Sequence, residues 1–225
     1  MDERAIGIVC GLQSEAKAVH AALEGEAYVI GVSGADAARA EAIAHEFCQQ
    51  GAGIILSVGV SGGLSPSLEP GSLLVTDYVC DGAGLIESVD PKFLTMVREY
   101  PARPLIFGAD DIVASAEEKA RLFERTKAIA VDMESHGAAR AARTAEVPFL
   151  AIRAIADPAD RALPPAAMNA VAPDGSTRVI QTLLECVKAP GQFPALLQLG
   201  SDSEKALKTL RQELLVIFKA IRESL

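Results

Sequence analysis

One run constrains this chain more than any other: Val147-Pro148-Phe149-Leu150-Ala151-Ile152-Arg153-Ala154-Ile155-Ala156-Asp157 is apolar except at Arg153 and Asp157. An unalternating run of that length reads as an interior strand covered on both faces of a sheet. A buried guanidinium is costly unless a carboxylate meets it, so this strand demands an acidic partner from elsewhere in the chain. The competing reading is an edge strand that turns Arg153 to solvent. Asp157 closes the run and so brings a carboxylate to the carboxyl lip of the sheet, where open α/β sheets bind ligands.

Five further runs have strand character: Ala5–Cys10, Ala27–Val32, Gly53–Val60, Ser72–Val79 and Ala128–Val131. Helical patterns lie between them. Asp36 to Gln50 carries apolar residues three and four apart, Pro91 to Tyr100 suggests a short helix, and Ser115 opens a charged helix with Glu118 at capping-box spacing. Gly137 to Arg143 is alanine-rich, and Thr177 to Lys188 and a segment from about Ser203 are helical as well. Strands alternating with helices put the chain in the α/β class. Gly11 follows the first strand as a turn that opens a helix, with Ser14 near its cap. Ser61-Gly62-Gly63-Leu64-Ser65-Pro66 follows the third strand as a loop whose glycines let backbone amides approach a ligand. Neither the phosphate-loop pattern nor the G-x-G-x-x-G dinucleotide fingerprint occurs.

With 225 residues and 50% apolar content, the chain can bury a full core. A net charge of −9 argues against a nucleic-acid partner, which needs clustered Lys and Arg. Cys10, Cys48, Cys80 and Cys186 lie far apart among apolar neighbours, so they read as small buried hydrophobes, and no metal site is expected. Met1-Asp2-Glu3-Arg4 leads straight into a strand, and no eighteen-residue apolar span occurs. A cytoplasmic protein is the expectation.

Two carboxylates stand where chemistry is expected. Val131-Asp132-Met133-Glu134-Ser135-His136 hands an interior strand over to a helix, so Glu134 falls where it can accept hydrogen bonds from hydroxyls such as those of ribose. Glu15 and Lys17 fall in the first turn after the first strand and read as a general acid or base beside a cation. For both carboxylates the plain alternative is the acidic charge that any first helical turn favours.

Four separated pieces point one way: Gly11-x-x-x-Glu15, Gly59-Val60-Ser61-Gly62-Gly63-Leu64, Val131-Asp132-Met133-Glu134 and Arg153-Ala154-Ile155-Ala156-Asp157. Their order and spacing resemble the superfamily of purine nucleoside phosphorylases and methylthioadenosine/adenosylhomocysteine nucleosidases over roughly residues 5 to 185. Val131 to Arg143, Asp157 to Ala167 and Pro190 to Leu197 look like its hopanoid-associated phosphorylase branch. The resemblance implies a three-layer α/β fold with a mixed, twisted central sheet flanked by helices. It implies cleavage of a purine N-glycosidic bond without metal or organic cofactor, phosphate being the one co-substrate in question. In that branch the substrate is adenosylhopane and the leaving base adenine, a step in hopanoid side-chain biosynthesis.

The resemblance also implies roles. Asp157 would protonate or hydrogen-bond the purine at N7, Glu134 and Met133 would hold the ribose, Glu15 would activate water, and Arg153 would stand beside that nucleophile. Val60, Ser61, Gly62 and Ile112 would line the nucleoside, and Gly11, Lys17 and Ser61 the phosphate or water. Phosphorylases of the superfamily carry arginines in the first loop and before the glycine turn, where this chain has Glu15 and Ser57. Phosphorolysis and hydrolysis both stay open. Nucleosidases stack an aromatic over the purine where this chain has Asp111.

The tail differs in kind. Pro190-Gly191-Gln192-Phe193-Pro194 interrupts the pattern, and Leu207, Leu210, Leu214, Ile217 and Ile221 then form one apolar helical stripe. Residues 1–189 read as the catalytic domain and 190–225 as a helical extension packed on it or on the twin subunit of a homodimer. A lipid-facing role for the stripe, or for Phe193, Leu196 and Leu197, is the sharper alternative and would suit peripheral membrane contact. Two rival functions stand beside the main reading: a hydrolytic methylthioadenosine or adenosylhomocysteine nucleosidase, and a non-catalytic nucleoside- or lipid-binding module.

Overall fold

The computed structural model describes residues 5–90, 93, 104–168, 171–177 and 190–225. Apart from Phe93 and Thr177, the helices expected over Pro91–Tyr100 and Thr177–Lys188 lie outside the described residues, as does Cys186.

Nine strands form one mixed sheet: β1 (Ile6–Cys10), β2 (Val29–Val32), β3 (Ile54–Gly63), β4 (Leu73–Thr76), β5 (Tyr78–Asp81), β6 (Gly84–Glu87), β7 (Ile106–Gly108), β8 (Ala130–Asp132) and β9 (Phe149–Asp157). The order is β2-β1-β3-β8-β7-β5-β6, with β9 pairing both β3 and β4. β9 runs parallel to β3 and antiparallel to β4, and every residue of it is buried. It is therefore an interior strand, and Arg153 does not face solvent.

Side-chain alternation along the strands divides the core. Ile6, Ile8 and Cys10 pack toward the helices Gln13–Ala22 and Phe193–Arg222, while Val9 packs toward Ala37–Gln49 and Ser135–Thr144. Helices on both faces make three layers. The second pair of helices approaches backbone to backbone, because a Cβ at Gly137 would stand 2.1 Å from the carbonyl oxygen of Ala37. A smaller cluster that includes Leu64, Leu122 and Val131 involves the helix Ala116–Thr126. That helix starts with the expected capping box, Ser115 Oγ accepting from the Glu118 amide and Glu118 Oε2 accepting from the Ser115 amide.

The structure corrects three readings. Ser72–Val79 is not one strand: β4 pairs with β9 while β5 pairs with β6 and β7, and the chain changes partners at the buried Asp77. Ser61 to Gly63 is not a loop, because β3 continues through it past a register shift and pairs Gly62 with Val131 of β8. Ser14 lies in the first turn as expected, just after the N-cap Leu12, whose amide donates to the carboxylate of Glu15. The last helix begins at Phe193, well before Ser203, because Pro194 is tolerated in a first helical turn where its missing N–H costs nothing. Its stripe packs on this chain's own sheet, with Leu210, Leu214, Ile217 and Ile221 in the core beside Ile152 and Ala154.

Candidate functional site

Arg153 lies at the centre of a dry polar cluster. Its Nε donates to Asp132 Oδ2 at 2.5 Å, and its Nη2 to Ser57 Oγ at 2.7 Å and Glu134 Oε2 at 3.4 Å. Asp132 ends β8 and caps the next helix, its Oδ1 accepting from the amides of Glu134 at 3.3 Å and Ser135 at 3.0 Å. Ser135 Oγ donates to the other oxygen. The carboxylate that the apolar strand required is thus chiefly Asp132, which sequence reasoning passed over in favour of its neighbour Glu134. Burial works against the guanidinium's charge, and Asp132, Glu134 and Glu15 outweigh it.

Glu15 is turned back over the start of its own helix. Oε2 accepts from the amides of Gly11 and Leu12, both at 2.8 Å, and Oε1 from the amide of Val60 at 2.7 Å. Glycine makes the room. A Cβ at Gly59 would stand 2.5 Å from Glu15 Oε1, and a Cβ at Gly11 would stand 2.3 Å from Glu134 Oε1. Two bare backbone positions therefore seat the two carboxylates in one place.

Their protonation follows from crowding. Burial raises the pKa of Glu15, opposed by Arg153 and then by the three amides. Burial first, and Asp132 second, push Glu134 up to about 8. Burial dominates at both groups, so the carboxyls of Glu15 and Glu134 each hold a proton to higher pH than a free glutamic acid does. Burial, then Glu15, also holds the thiol of Cys10 well above its ordinary value, which makes it a packing group and not a nucleophile.

Asp157 stands four residues further along β9 than Arg153, a rise of about 13 Å, at the strand's carboxyl end. It pairs across the sheet with Gly62, where a Cβ would lie 3.3 Å from Asp157 Oδ2. Oδ2 meets the ammonium of the fully buried Lys119. Burial raises the Asp157 carboxyl, opposed first by Lys119. Sequence reasoning took this stretch for ordinary surface charge. The available signal was helical spacing, since Lys119 lies one turn from the buried Leu122.

The other expected residues divide. Ser61 Oγ is buried with no partner among the described residues, on the same face of β3 as Ser57 and Gly59. Gly62 lies between Val131 and Asp157, and Met133 is half-buried. Val60 packs its half-buried side chain against the core and gives its N–H to Glu15. Lys17 is exposed while Glu15, two residues away, is buried, so the helix turns them apart and Lys17 does not join the site. Ile112 lines a cavity of about 480 Å³ with Phe107, Asp111, Val113 and Arg125, which none of the three acids lines.

Comparison with known proteins bears on the family and the fold. The chain matches the profile of the Phosphorylase superfamily over residues 5–105 and 103–188. It is 28% identical over 130 residues to the 5′-methylthioadenosine/S-adenosylhomocysteine nucleosidase of Buchnera aphidicola subsp. Baizongia pistaciae, an alignment covering 47% of this chain. That match spans about half, 52%, of the Buchnera protein. Among solved structures, the Helicobacter pylori 5′-methylthioadenosine/S-adenosylhomocysteine nucleosidase superposes with a TM-score of 0.74 at 17% identity, over 97% of this chain and 99% of the other. The futalosine hydrolase of Helicobacter pylori superposes with a TM-score of 0.73 at 17% identity, over 99% of both chains. These two share its fold. With the profile covering most of its length, the chain belongs to the Phosphorylase superfamily.

Proposed function

We propose that this protein hydrolyses the N-glycosidic bond of an adenosyl nucleoside with an apolar 5′ substituent, adenosylhopane, releasing adenine. The observation that carries the reading is the grip on Glu15, a buried carboxylate of raised pKa held by three amides and seated with Glu134. As the bond breaks, the ribose gains positive character and the base gains negative charge, which favours carboxylates around the sugar and an acid at the base. In this reading Glu15 takes a proton from the attacking water, Glu134 and Met133 hold the ribose hydroxyls, and Asp157 hydrogen-bonds N7 of the departing purine.

Water is the preferred acceptor for a reason of charge. Arg153 already donates to Asp132, Ser57 and Glu134, and Lys17 is turned outward, so a phosphate dianion would find no free cation in either residue. The apolar 5′ group finds support in Phe193, Leu197 and Met168, exposed by 48%, 60% and 37%. Gln192 Oε1 accepts from the Ala166 amide at 3.0 Å, and Arg161 pairs with Asp202, so this surface and the loop after Asp157 share one support. A methylthioadenosine/adenosylhomocysteine nucleosidase is the second reading, favoured by the similarity to the Buchnera protein.

The test is adenine release from adenosylhopane and from methylthioadenosine, with and without phosphate, in ¹⁸O-labelled water. A free sugar carrying ¹⁸O at C1′ from adenosylhopane is the expected product. A sugar phosphate would replace hydrolysis by phosphorolysis, and preferential cleavage of methylthioadenosine would favour the second reading. Binding without release from either nucleoside would leave a non-catalytic module.

A further inference from the structure

Lys119 has no exposed surface, and its Nζ spends its three donors on Asp157 Oδ2, the Pro158 carbonyl and the Arg161 carbonyl, the last two at 2.9 Å. With all three donors used, the side chain ties one oxygen of Asp157 to the loop that follows it. Oδ1 accepts no hydrogen bond from the protein among the described residues, which leaves it for a ligand. The same loop is fastened behind, where Arg161 pairs with the buried Asp202 of the last helix, and Asp202 also accepts from Gln198 and Lys205.

We propose that Lys119 is a positioning residue of the site: by tying Oδ2 of Asp157 to the following loop it aims the other oxygen at the leaving base. This rests on the nucleosidase reading for its consequence in catalysis, but not for the pairing itself. The charged groups acting on Asp157 are Lys119 from the helix Ala116–Thr126, Arg161 from the following loop and Asp202 from the helix Phe193–Arg222. Lys119 and Arg161 favour the carboxylate, whereas burial and Asp202 favour the acid. With Lys119 removed, the carboxyl keeps its burial and loses its nearest cation, so its titration moves to higher pH.

The experiment has two arms. In Lys119→Met, adenine release is expected to fall at least tenfold in kcat with KM changed less than threefold. The limb of the pH–rate profile assigned to Asp157 is expected to move up by at least half a pH unit, with Lys119→Arg restoring most of both. The second arm needs neither activity nor a variant that alters folding. The ¹³Cγ signal of Asp157, assigned by Asp157→Asn, and the ¹⁵Nζ signal of Lys119 are followed against pH in the parent protein, where they are expected to titrate together. A profile unmoved in a folded Lys119→Met protein, or an Nζ signal silent while Asp157 titrates, overturns the proposal. Coupled signals without adenine release from any adenosyl nucleoside keep the pairing and dismiss the nucleosidase reading.

Discussion

Arg153 Nε donates to Asp132 Oδ2 at 2.5 Å, and the side-chain exposures of the two are 0% and 1%. Breaking such a pair from one side leaves a charge buried alone, the costly half of the arrangement. Asp132→Asn keeps an acceptor for the helix cap but loses the charge. It is expected to cost about 3–5 kcal/mol of stability, read as a lower urea midpoint and a Tm reduced by about 6–20 °C. A loss under about 1 kcal/mol would sink this account of why the strand tolerates an arginine.

Glu134 makes stability depend on pH in a defined direction. Its folded pKa of about 8 lies above the ordinary 4.5, so between those values the native state holds a proton that the unfolded chain has released. Its contribution is full below about 4.5 and disappears as pH rises toward 8. Urea midpoints measured from pH 4.5 to 8.5 should therefore decline less steeply in Glu134→Gln than in the parent protein. Parallel curves for the two would contradict the raised pKa.

Gly59 and Gly11 are expected to behave as indirect probes of the two carboxylates. Gly59→Ala pushes on Glu15 and Gly11→Ala on Glu134, because the added carbon would stand within 2.5 Å of an oxygen in each case. A displacement of about 1 Å at a reacting group costs on the order of a hundredfold in rate. Gly59→Ala should lower kcat with KM held, whereas Gly11→Ala should raise KM for the ribose-bearing substrate as well. Near-parental kinetics in both would mean that neither carboxylate touches the reaction.

Glu15→Gln removes the proposed base and keeps most of its volume. The Gln NH₂ must also face backbone N–H donors, since Glu15 accepts from three of them, which adds about 1–3 kcal/mol of instability. The expected outcome is a loss of about 10²–10⁴ in adenine release with nucleoside binding retained by calorimetry. Full activity would dismiss Glu15 as the water-activating group.

Much of the fold was legible because burial leaves a strong mark on composition. The run ending at Asp157 announced an interior strand and the need for a carboxylate, and both are present. What it could not announce was which carboxylate. Asp132 and Glu134 sit two apart at the same strand-to-helix junction, and only the geometry of the cap assigns Asp132 to the guanidinium and leaves Glu134 at longer reach. Lys119 was hidden for a different reason: neighbouring Glu117 and Glu118 make its segment look solvated, although its own position lies on the apolar face. The division of Ser72–Val79 escaped notice because both halves are equally apolar, and partner exchange at Asp77 is a long-range event. Pro194 concealed the true start of the last helix, since proline reads as a breaker although it is welcome in a first turn.

Ile6 and Ile8 of β1 share one core with Leu210, Leu214 and Ile221 of the last helix. At ordinary translation speeds of about 5–20 residues per second, the interval between their synthesis is on the order of 10–40 s. Throughout it, that side of the nascent sheet has only the short helix Gln13–Ala22 over it and offers sticky strands to any neighbouring polypeptide. Holding chaperones should therefore engage this chain on the ribosome, and closure of that face should come only after residue 221 has left the exit tunnel.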